Sequence, residues 1–321
     1  MVSVLDWGLG HATRTSVVVE ALLRRGCRVI LAGSGQSFEL LRRQFPDCET
    51  TDLPSFSPRL SGGRFQWLEI AVQTPTFLWT IWREHRLTSQ IAKRIAPDLI
   101  ISDNRYGVWV SGIPSAIITH QLHPHIATGA PHWAERLLST IICRMIRKFD
   151  ACIVPDYKLG GLSGDMSAPT PQGMRIHCAG LMSRMADVEE VTSRAVDWLG
   201  VASGPEPQRG QFTEYLINRF KIEKGRRVVV CGDPKRGRGH TAEGVEIIGL
   251  ADAGELKGLM LSASKIVCRS GYTTLMDLAA IGRLNGTVEF IPTPGQAEQE
   301  YLAKRIAALI EEKEIGGEKR I

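Results

Sequence analysis

The stretch VSVLDWGLGHATRTSVVVEALLRRGCRVILAG, residues 2–33, runs from an apolar strand pattern through a short loop into a helical pattern and a second strand pattern. This order is the repeating unit of parallel sheets that carry helices on both faces. Gly8 and Gly10 permit a tight turn from strand to helix and the close approach of a ligand. The stretch therefore predicts a doubly wound α/β fold with a ligand near its first loop.

The same alternation continues along the 321 residues, a length that suits two domains. A polar connector near 180–195 separates two halves, so we predict tandem Rossmann-like domains, 1–182 and 183–321, that face a cleft. Strands are predicted at VSVL, CRVILA, PDLIIS, PSAIIT and DACIVP, and in the second half at AVDWLGVA, RRVVVC, VEIIGL, SKIVC and GTVEFI. Helices are predicted at 13–25, 36–44, 131–147, 209–220, 252–263, 273–282 and 296–312.

The composition, with 43% hydrophobic and 23% charged residues, is that of a globular protein. A net charge of +5 favours anionic partners such as nucleotides, sugar diphosphates or an anionic membrane surface, and is too small by itself to indicate nucleic acid. Seven cysteines without a C-x-x-C pair indicate reduced, buried thiols in a cytosol. We expect a cytoplasmic protein without a signal peptide or a spanning helix, because the first strand pattern begins at residue 2 and no apolar run reaches about 18–20 residues.

Polar side chains follow two of the predicted strands in the first half. His11 follows the opening loop, and Asp103 and Asn104 follow the strand PDLIIS, so the three should lie at the same edge of the sheet. A carboxylate beside a histidine fixes the tautomer of the ring and makes it an effective general base. The alternatives are that His11 only enters the helix and that Asp103 only caps the following turn.

A third loop of the first half, THQLHPH at 119–125, adds His120 and Gln121. Its histidines suggest a metal, but no H-x-x-x-H pair with a supporting acid is present, so we expect no metal site. Arg14 lies three residues after His11. It is interpreted either as a contact to an acceptor phosphate or as a cation on the helix surface.

Two loops of the second half have some features of phosphate sites. SGPEPQR, 203–209, contains Gly204 and places Arg209 near the first turn of a helix, where it suits a phosphate; a solvated loop arginine is the alternative. CGDPKRGRGH, 231–240, approaches the spacing of a P-loop, but arginine and glycine replace the lysine and Ser/Thr, and no helix pattern follows at once. We therefore reject a kinase or ATPase signature.

The stretch CRSGYTTLMDLAAIGRLNGTVEFIPTPGQAEQEYLA, 268–303, is the most informative. A strand ends at Ser270 and Gly271, and the backbone amides from there to Thr274 open a helix that can hold a diphosphate without a metal. Asp277, one turn further on, is placed to accept from ribose hydroxyls. The entrance of the next helix clusters amides and carboxylates that suit sugar hydroxyls, with a charged helix start as the alternative. These residues are Gln296, Glu298, Gln299 and Glu300.

The motifs LDWGLGHATR, ISDNRYG, SGPEPQR and RSGYTTLMDL…FIPTPGQAEQEYLA together resemble those of metal-independent nucleotide-sugar glycosyltransferases of the GT-B fold. The likeness covers nearly the whole chain. It is nearest to the family 28 type, which includes the enzyme that adds N-acetylglucosamine to the peptidoglycan lipid precursor, and to a group of predicted bacterial glycosyltransferases. The resemblance implies an acceptor-binding N-terminal domain, a C-terminal domain that binds the nucleotide-sugar donor, and neither cofactor nor metal.

The resemblance also assigns residues. Gly8, Gly10 and His11 would face the acceptor, with His11 similar in place to the base of inverting plant-type members and Asp103 to the aspartate that orients it. The donor assignments are Gly271, Tyr272, Thr273 and Thr274 for the diphosphate, Asp277 for the ribose, and Gln299 with Glu300 for the sugar. By position we add Arg14, Asn104, His120 and Gln121 to the acceptor side, and Gly204, Arg209, Ser270 and Gln296 to the donor side.

The sequence departs from the family pattern at three points. The family 28 enzyme has Glu where Asp277 stands and Gln where Glu300 stands, which leaves the ribose contact and the donor sugar open. Its glycine loop is also longer, so its acceptor does not carry over. The implied chemistry is inverting transfer of a hexosyl or N-acetylhexosaminyl group from a donor such as a UDP-sugar. A base near His11 would activate the acceptor hydroxyl, and the diphosphate would leave toward Thr273, assisted by Arg209.

A long segment, FQWLEIAVQTPTFLWTIWREHRLTSQIAKRIA at 65–96, mixes aromatic and basic residues on one helical pattern. Such a helix suits the surface of an anionic bilayer, where a lipid-linked acceptor would be within reach. A buried helix with a solvated basic face is the alternative. The residues concerned are Trp67, Trp79, Trp82, Arg83, Arg86, Lys93 and Arg94.

Two rival functions share the predicted architecture. A sugar-nucleotide 2-epimerase would use the same donor site and turn over the donor without an acceptor. A non-catalytic sugar-nucleotide-binding module would keep the cleft without the chemistry, so its ligand binding would survive the loss of His11 or Asp103.

Overall fold

The computed structural model describes residues 1–56, 66–126, 132–189 and 191–316, and within these ranges the side chains of 66–71 and 312–316 are not described. The chain divides into two compact units. The first comprises Met1–Met182 with Gly295–Glu298, and the second comprises Ser183–Pro294 with the chain from Gln299 onward.

The first unit is built on a parallel sheet. In the described part of the chain it has seven strands in the order β3-β2-β1-β4-β5-β6-β7, and every neighbouring pair is parallel. The strands are β1 Val2–Ser3, β2 Ile30–Gly33, β3 Glu49–Asp52, β4 Ile100–Asp103, β5 Ser115–Ile118, β6 Ala151–Val154 and β7 Ile176–Cys178.

Four helices of the first unit cover this sheet. Leu31 of β2 packs with Val19 and Phe38 in one buried cluster, and Ile117 of β5 packs with Ile142 in another. The helices are α1 Leu9–Arg24, α2 Gly35–Gln44, α3 Gln66–Ile95 and α4 His132–Ile146. Burial of apolar side chains between helices and sheet is the main stabilising contribution to such a layered unit.

The second unit repeats the scheme. Its described strands form a sheet in the order β10-β11-β9-β8-β12-β13, parallel except for the β10–β11 pair. The strands are β8 Val196–Val201, β9 Arg227–Val230, β10 Arg238–His240, β11 Glu246–Ile248, β12 Ala263–Cys268 and β13 Val288–Phe290. The helices are α5 Gln208–Phe220, α6 Ala253–Ser262, α7 Tyr272–Ala280 and α8 Ala297–Gly316. The predicted α/β class with two doubly wound sheets is confirmed.

The structure differs from the sequence prediction in a few elements. α1 begins at Leu9, four residues before the predicted start, because Gly8 adopts φ 99° and ψ 159° and turns the chain directly into the helix. β3 was not predicted, since its sequence ETTD is polar and its side chains are largely exposed. After Gly237 the chain forms β10 rather than a helix, which agrees with the rejection of a P-loop.

Strand order brings the functional loops together within each unit. β1 pairs with β4 and β4 pairs with β5, so the loops that follow these three strands leave the same edge of the sheet side by side. In the second unit β12 lies between β8 and β13, and the loops that follow them are neighbours in the same way. In parallel sheets this carboxyl edge is where ligands bind.

Candidate active site

The loop between β1 and α1 is held in place by the start of α2. Asp6 Oδ1 accepts a hydrogen bond from the backbone N–H of Ser37 at 3.0 Å, and the Ser37 hydroxyl donates to the carbonyl of Gly8 at 3.0 Å. A Cβ at Gly35 would lie 1.7 Å from Asp6 Oδ2, so only glycine fits there. The loop is therefore braced in one conformation that places His11 in the first turn of α1.

His11 lies beside Asp103, as the strand-end argument predicts. Its Nδ1 is 3.2 Å from Asp103 Oδ1, and its side chain keeps 18% exposure while the carboxylate is fully buried. Both carboxylate oxygens are bound by α1: Thr15 donates its hydroxyl to Oδ2 at 2.7 Å, and Arg14 donates Nε to Oδ2 at 3.4 Å and Nη2 to Oδ1. Asp103 is thus oriented toward α1, and the alternative in which it only caps its own turn is wrong.

Arg14 is buried beside Asp103 instead of lying on the helix surface. The residue is 2% exposed, so the helix-surface interpretation is wrong, and its guanidinium binds a carboxylate of the chain itself. Burial on its own would raise the pKa of Asp103, but the charges of Arg14 and His11 outweigh that effect and hold the pKa well below its usual range. Asp103 is consequently ionised at neutral pH and supplies a fixed negative charge beside the ring.

A second pair of a histidine and a carboxylate, His120 and Glu298, lies on the first unit. His120 Nε2 is 2.9 Å from Glu298 Oε1, and Gln121 Nε2 donates to Glu298 Oε2 at 2.5 Å. Burial lowers the pKa of His120 more than the Glu298 carboxylate raises it, with Arg14 and His11 adding to the decrease. The pKa of Glu298 is also lowered, because His120 outweighs its burial. Both pKa shifts are consistent with a neutral His120 imidazole that donates its Nε2–H to the ionised Glu298 carboxylate.

Glu298 is the functional candidate that the sequence analysis did not select. It was noted only as part of a polar helix start, because its partner His120 lies 178 positions away and no local pattern joins the two. Asn104, selected for the acceptor side, has φ 55° and accepts a hydrogen bond from the Tyr106 hydroxyl at 3.2 Å. Its amide is therefore turned toward Tyr106 within the core.

The loops after β12 and β13 both bind Gln299 in the first turn of α8, next to the proposed diphosphate site. The Ser270 hydroxyl donates to the carbonyl of Gln299 at 2.7 Å, and Gln299 Oε1 accepts from the backbone N–H of Thr293 at 2.8 Å. Gly271 is the N-cap of α7, no side chain of the described residues caps it, and a Cβ at Gly271 would meet no atom within 4 Å. The start of α7 is thus open toward a ligand and presents the positive end of the helix dipole.

The other donor candidates differ in exposure around this helix start. Tyr272 and Thr274 are buried and Thr273 is half-buried. Gln296 and Glu300 are half-buried at the entrance of α8. Thr273 is thus the more exposed of the two threonines in this turn.

Asp277 is buried instead of lying open at the helix entrance. Its Oδ1 accepts the Ser183 hydroxyl at 2.6 Å. Burial raises the pKa of Asp277 to about 6, against the opposing effects of Ser183 and Arg184. The carboxyl thus holds the first residue of the second unit, and its contact with a ribose stays a prediction.

Arg209 is also bound within the protein. Its Nε and Nη2 donate to Glu206 Oε1 at 3.1 and 2.7 Å, and its Nη1 donates to the carbonyl of Gly232 at 2.8 Å. The residue is buried in α5, so the alternative of a solvated loop arginine is wrong. Gly204, before α5, has φ 106°, and a Cβ there would meet no atom within 4 Å, which leaves the loop open at that point.

Three further features bear on the expectations from sequence. Within the described residues, no group of three or more His, Cys, Asp or Glu side chains could hold a metal ion. In the same ranges no helix is both long enough and apolar enough to cross a membrane. The expectation of buried thiols is correct for Cys143, Cys152, Cys231 and Cys268 but wrong for Cys27 and Cys178, which are exposed.

Comparison with solved structures identifies the fold. The calicheamicin glycosyltransferase superposes with a TM-score of 0.61 at 14% sequence identity, over 96% of this chain and 83% of that chain. The spinosyn rhamnosyltransferase superposes with a TM-score of 0.58 at 13% sequence identity, over 96% of this chain and 83% of that chain. At these identities the likeness shows the fold, which is GT-B.

Comparison with curated sequences finds relatives that are named as glycosyltransferases. An uncharacterized glycosyltransferase of Methanopyrus kandleri is 21% identical over 316 residues, covering 89% of this chain and 83% of the relative. The UDP-N-acetylglucosamine–N-acetylmuramyl-(pentapeptide) pyrophosphoryl-undecaprenol N-acetylglucosamine transferase of an Acidovorax species is 23% identical over 297 residues, covering 89% and 67%. No protein-family model matches the chain. The resemblance to GT-B glycosyltransferases is confirmed, and glycosyltransferase is the class that these relatives share.

Proposed function

We propose that this protein is an inverting glycosyltransferase that moves a hexosyl or N-acetylhexosaminyl group from a nucleoside-diphosphate sugar to an acceptor hydroxyl without a metal. The observation that carries the proposal is the His11–Asp103 pair on the loop edge of the first unit. The relatives support the reaction class, and the name of the Acidovorax relative supports a nucleotide-sugar donor and a lipid-linked acceptor.

The acceptor side of the mechanism follows from the geometry of His11. With Nδ1 toward the ionised Asp103, Nε2 is the ring nitrogen that takes the proton of the acceptor hydroxyl. The acceptor oxygen then forms a bond to the anomeric carbon as the bond from that carbon to the diphosphate oxygen breaks. The electron pair of the broken bond goes to the diphosphate, and the proton stays on His11 until solvent removes it.

The donor side uses the start of α7. Charge that develops on the leaving diphosphate is stabilised by backbone N–H groups and the helix dipole at Gly271. Because Arg209 already binds Glu206 and Gly232, we assign the diphosphate to the helix start and not to that side chain. Tyr272, Thr273 and Thr274 continue this turn, while Gln296, Gln299 and Glu300 remain the proposed readers of the sugar.

A thermal-shift screen against uridine, thymidine and guanosine diphosphate sugars, with EDTA present, tests the donor proposal. At a concentration of about 100 times Kd, a ligand that binds only the native state adds about 2.7 kcal/mol, which raises Tm by several degrees. The variant Gly271→Val should lose this shift, because its Cβ finds space within the protein while the side chain occupies the approach to α7. No shift with any of these sugars would overturn the donor proposal.

The matched control for that screen is Gly237→Val. A Cβ at Gly237 also meets no atom within 4 Å, but the residue precedes β10, far from the start of α7 in the sheet order. It should keep the shift of the unmodified protein. Donor turnover without any acceptor would instead favour the sugar-nucleotide 2-epimerase, and binding without turnover would favour a non-catalytic module.

For the acceptor we propose a lipid-linked molecule reached at the cytoplasmic face of an anionic membrane. Trp79 and Trp82 of α3 are 54% and 52% exposed, and the guanidinium groups of Arg83 and Arg86 lie 5.5 and 4.9 Å from their ring centroids. The alternative of a buried helix is therefore wrong for these two tryptophans. The side chain of Trp67 lies outside the described residues.

α4 also carries exposed apolar side chains. Trp133, Leu137 and Ile141 are spaced by four residues and exposed on one stripe of the helix. Phe77 of α3 and Leu138 of α4 pack against the same buried cluster, so both helices cover one region of the sheet. Exposed aromatic and aliphatic side chains with nearby arginines suit insertion at an anionic lipid interface.

Vesicle sedimentation tests the membrane proposal. The protein should sediment with phosphatidylcholine vesicles that contain phosphatidylglycerol at low salt, and Trp79→Glu/Trp82→Glu should abolish binding. Ile222→Glu is the control, since Ile222 is also exposed but lies in the second unit and on neither helix. Absence of binding at low salt, or equal loss in the control, would contradict the proposal.

A further inference from the structure

Arg14 lies one helical turn after His11, and the two side chains meet Asp103 at one point. Arg14 Nη2 is 3.0 Å from His11 Nδ1, and it also donates to Asp103 Oδ1, which is itself 3.2 Å from Nδ1. Three polar atoms therefore share a small buried space. Nothing in the proposed reaction so far accounts for Arg14.

The two contacts of His11 Nδ1 exclude one another as hydrogen bonds. The contact with Asp103 requires a hydrogen on Nδ1, because a carboxylate oxygen only accepts. The contact with Arg14 requires a lone pair on Nδ1, because a guanidinium only donates. When Nδ1 donates to Asp103, Nε2 of the neutral ring has a lone pair and can take a proton. When Nδ1 accepts from Arg14, Nε2 carries the ring hydrogen and cannot take a proton.

The hydrogen bonds of Asp103 favour the first case. Arg14 uses both Nε and Nη2 on the two carboxylate oxygens, which is the forked geometry that guanidinium groups form with carboxylates. Thr15 adds a third donor from the same helix at 2.7 Å. The hydrogens of the guanidinium are thus directed to the carboxylate, and Oδ1 is held facing Nδ1.

We propose that Arg14 is a positioning residue: by clamping Asp103 it fixes the ring hydrogen of His11 on Nδ1 and leaves Nε2 open to take the acceptor proton. The consequence for catalysis rests on the proposed function, whereas the position of the hydrogen is a property of the protein alone. This role replaces the contact to an acceptor phosphate that was considered from the sequence.

Other charged groups also face this region. His120 and Glu298 interact electrostatically with His11 and Arg14, and they lie on the loop after β5 and at the start of α8. Because Glu298 is bound to His120 and Gln121, its carboxylate is not the partner of His11 Nδ1. Asp103 is therefore the carboxylate that Arg14 has to orient.

The test is long-range ¹H–¹⁵N NMR of the histidine side chains in the ¹⁵N-labelled full chain, with His11→Gln to assign the His11 signals. We expect the neutral His11 ring to carry its hydrogen on Nδ1. Arg14→Lys keeps the charge but loses the forked contact with Asp103. In this variant the ratio of the Nδ1–H tautomer to the Nε2–H tautomer of His11 should fall about tenfold or more. Arg24→Lys, a change at an exposed residue of the same helix, should leave the ratio unaltered.

Two results would overturn the inference. One is a hydrogen on His11 Nε2 in the unmodified protein, which would mean that Arg14 donates to Nδ1 of the ring. This result comes from the unmodified protein and does not depend on the folding of a variant. The other is an unchanged tautomer ratio in a folded Arg14→Lys protein.

Kinetics separate this inference from the proposed function. In the transferase reaction Arg14→Lys should lower kcat with little change in the acceptor KM, and should cause no further loss in a His11→Ala background. A raised acceptor KM with additive effects would instead indicate an acceptor contact and contradict the positioning role. If His11→Ala itself leaves the rate unchanged, the proposed function fails while the tautomer result stands.

Discussion

Replacing His11 with alanine is expected to lower kcat for sugar transfer by about 10²–10⁴-fold, the usual contribution of a positioned general base. The variant leaves Asp103 bound to Arg14 and Thr15, and neither of these side chains can take the acceptor proton as an imidazole does. The measurement is release of nucleoside diphosphate from the donor that gives the largest thermal shift. The same shift should persist in the variant, because His11 lies on the first unit and the diphosphate site on the second.

Asp103→Asn should reduce kcat by about 10²-fold or more, because an amide can present an N–H to Nδ1 and so favour the wrong tautomer. His177→Ala is the matched control, since His177 is exposed in β7, and its rate should equal that of the unmodified protein. Equal rates for His11→Ala and His177→Ala would remove His11 from the chemistry and favour a non-catalytic module.

Replacing Arg105 with methionine is expected to lower the free energy of unfolding by about 3–5 kcal/mol, the usual effect of removing one partner from a buried ion pair. Arg105 is 1% exposed, lies 2.8 Å from Glu84 Oε1, and donates to the carbonyls of Val4 and Pro54. Burial raises the pKa of Glu84 and lowers that of Arg105, and each charge opposes the shift of the other. The variant leaves a buried carboxylate without its cation.

Urea unfolding measures this loss. The double variant Arg105→Met/Glu84→Gln should be less destabilised than the single one, because an amide oxygen can still accept from the Gly107 N–H that now binds Glu84 Oε2. Arg28→Met is the control: the Arg28–Glu49 pair is exposed, and such pairs contribute about 0–1 kcal/mol. A loss in Arg105→Met no larger than in Arg28→Met would show that the buried pair does not stabilise the fold.

Much of the fold could be predicted from the sequence because apolar side chains repeat with the periods of strands and helices. The strands that line the cores, such as CRVILA and SKIVC, were located correctly. β3 was missed because its side chains face solvent and need no apolar pattern. The start of α1 was placed too late because the pattern of apolar residues says nothing about the φ angle of Gly8.

The approach of His11 and Asp103 could also be predicted, since parallel pairing of β1 and β4 brings their following loops together. The same argument could not say which atoms meet. Arg14 and Arg209 were each interpreted as a phosphate contact or as a solvated cation, and the structure shows that each binds a carboxylate of the chain. The sequence does not distinguish an arginine that is solvated from one that binds a ligand or is buried in an ion pair.

By itself the sequence determined the two α/β units, the loops that carry polar groups, and the resemblance to GT-B glycosyltransferases, because these depend on local periodicity and on motif order. Only the tertiary structure decided that Arg14 clamps Asp103, that Glu298 binds His120, and that the Asp277 carboxyl is buried against Ser183. Those partners are 89, 178 and 94 positions apart. Their contacts arise from the packing of distant elements, which determines the burial and charge of each group and cannot be read from neighbouring residues.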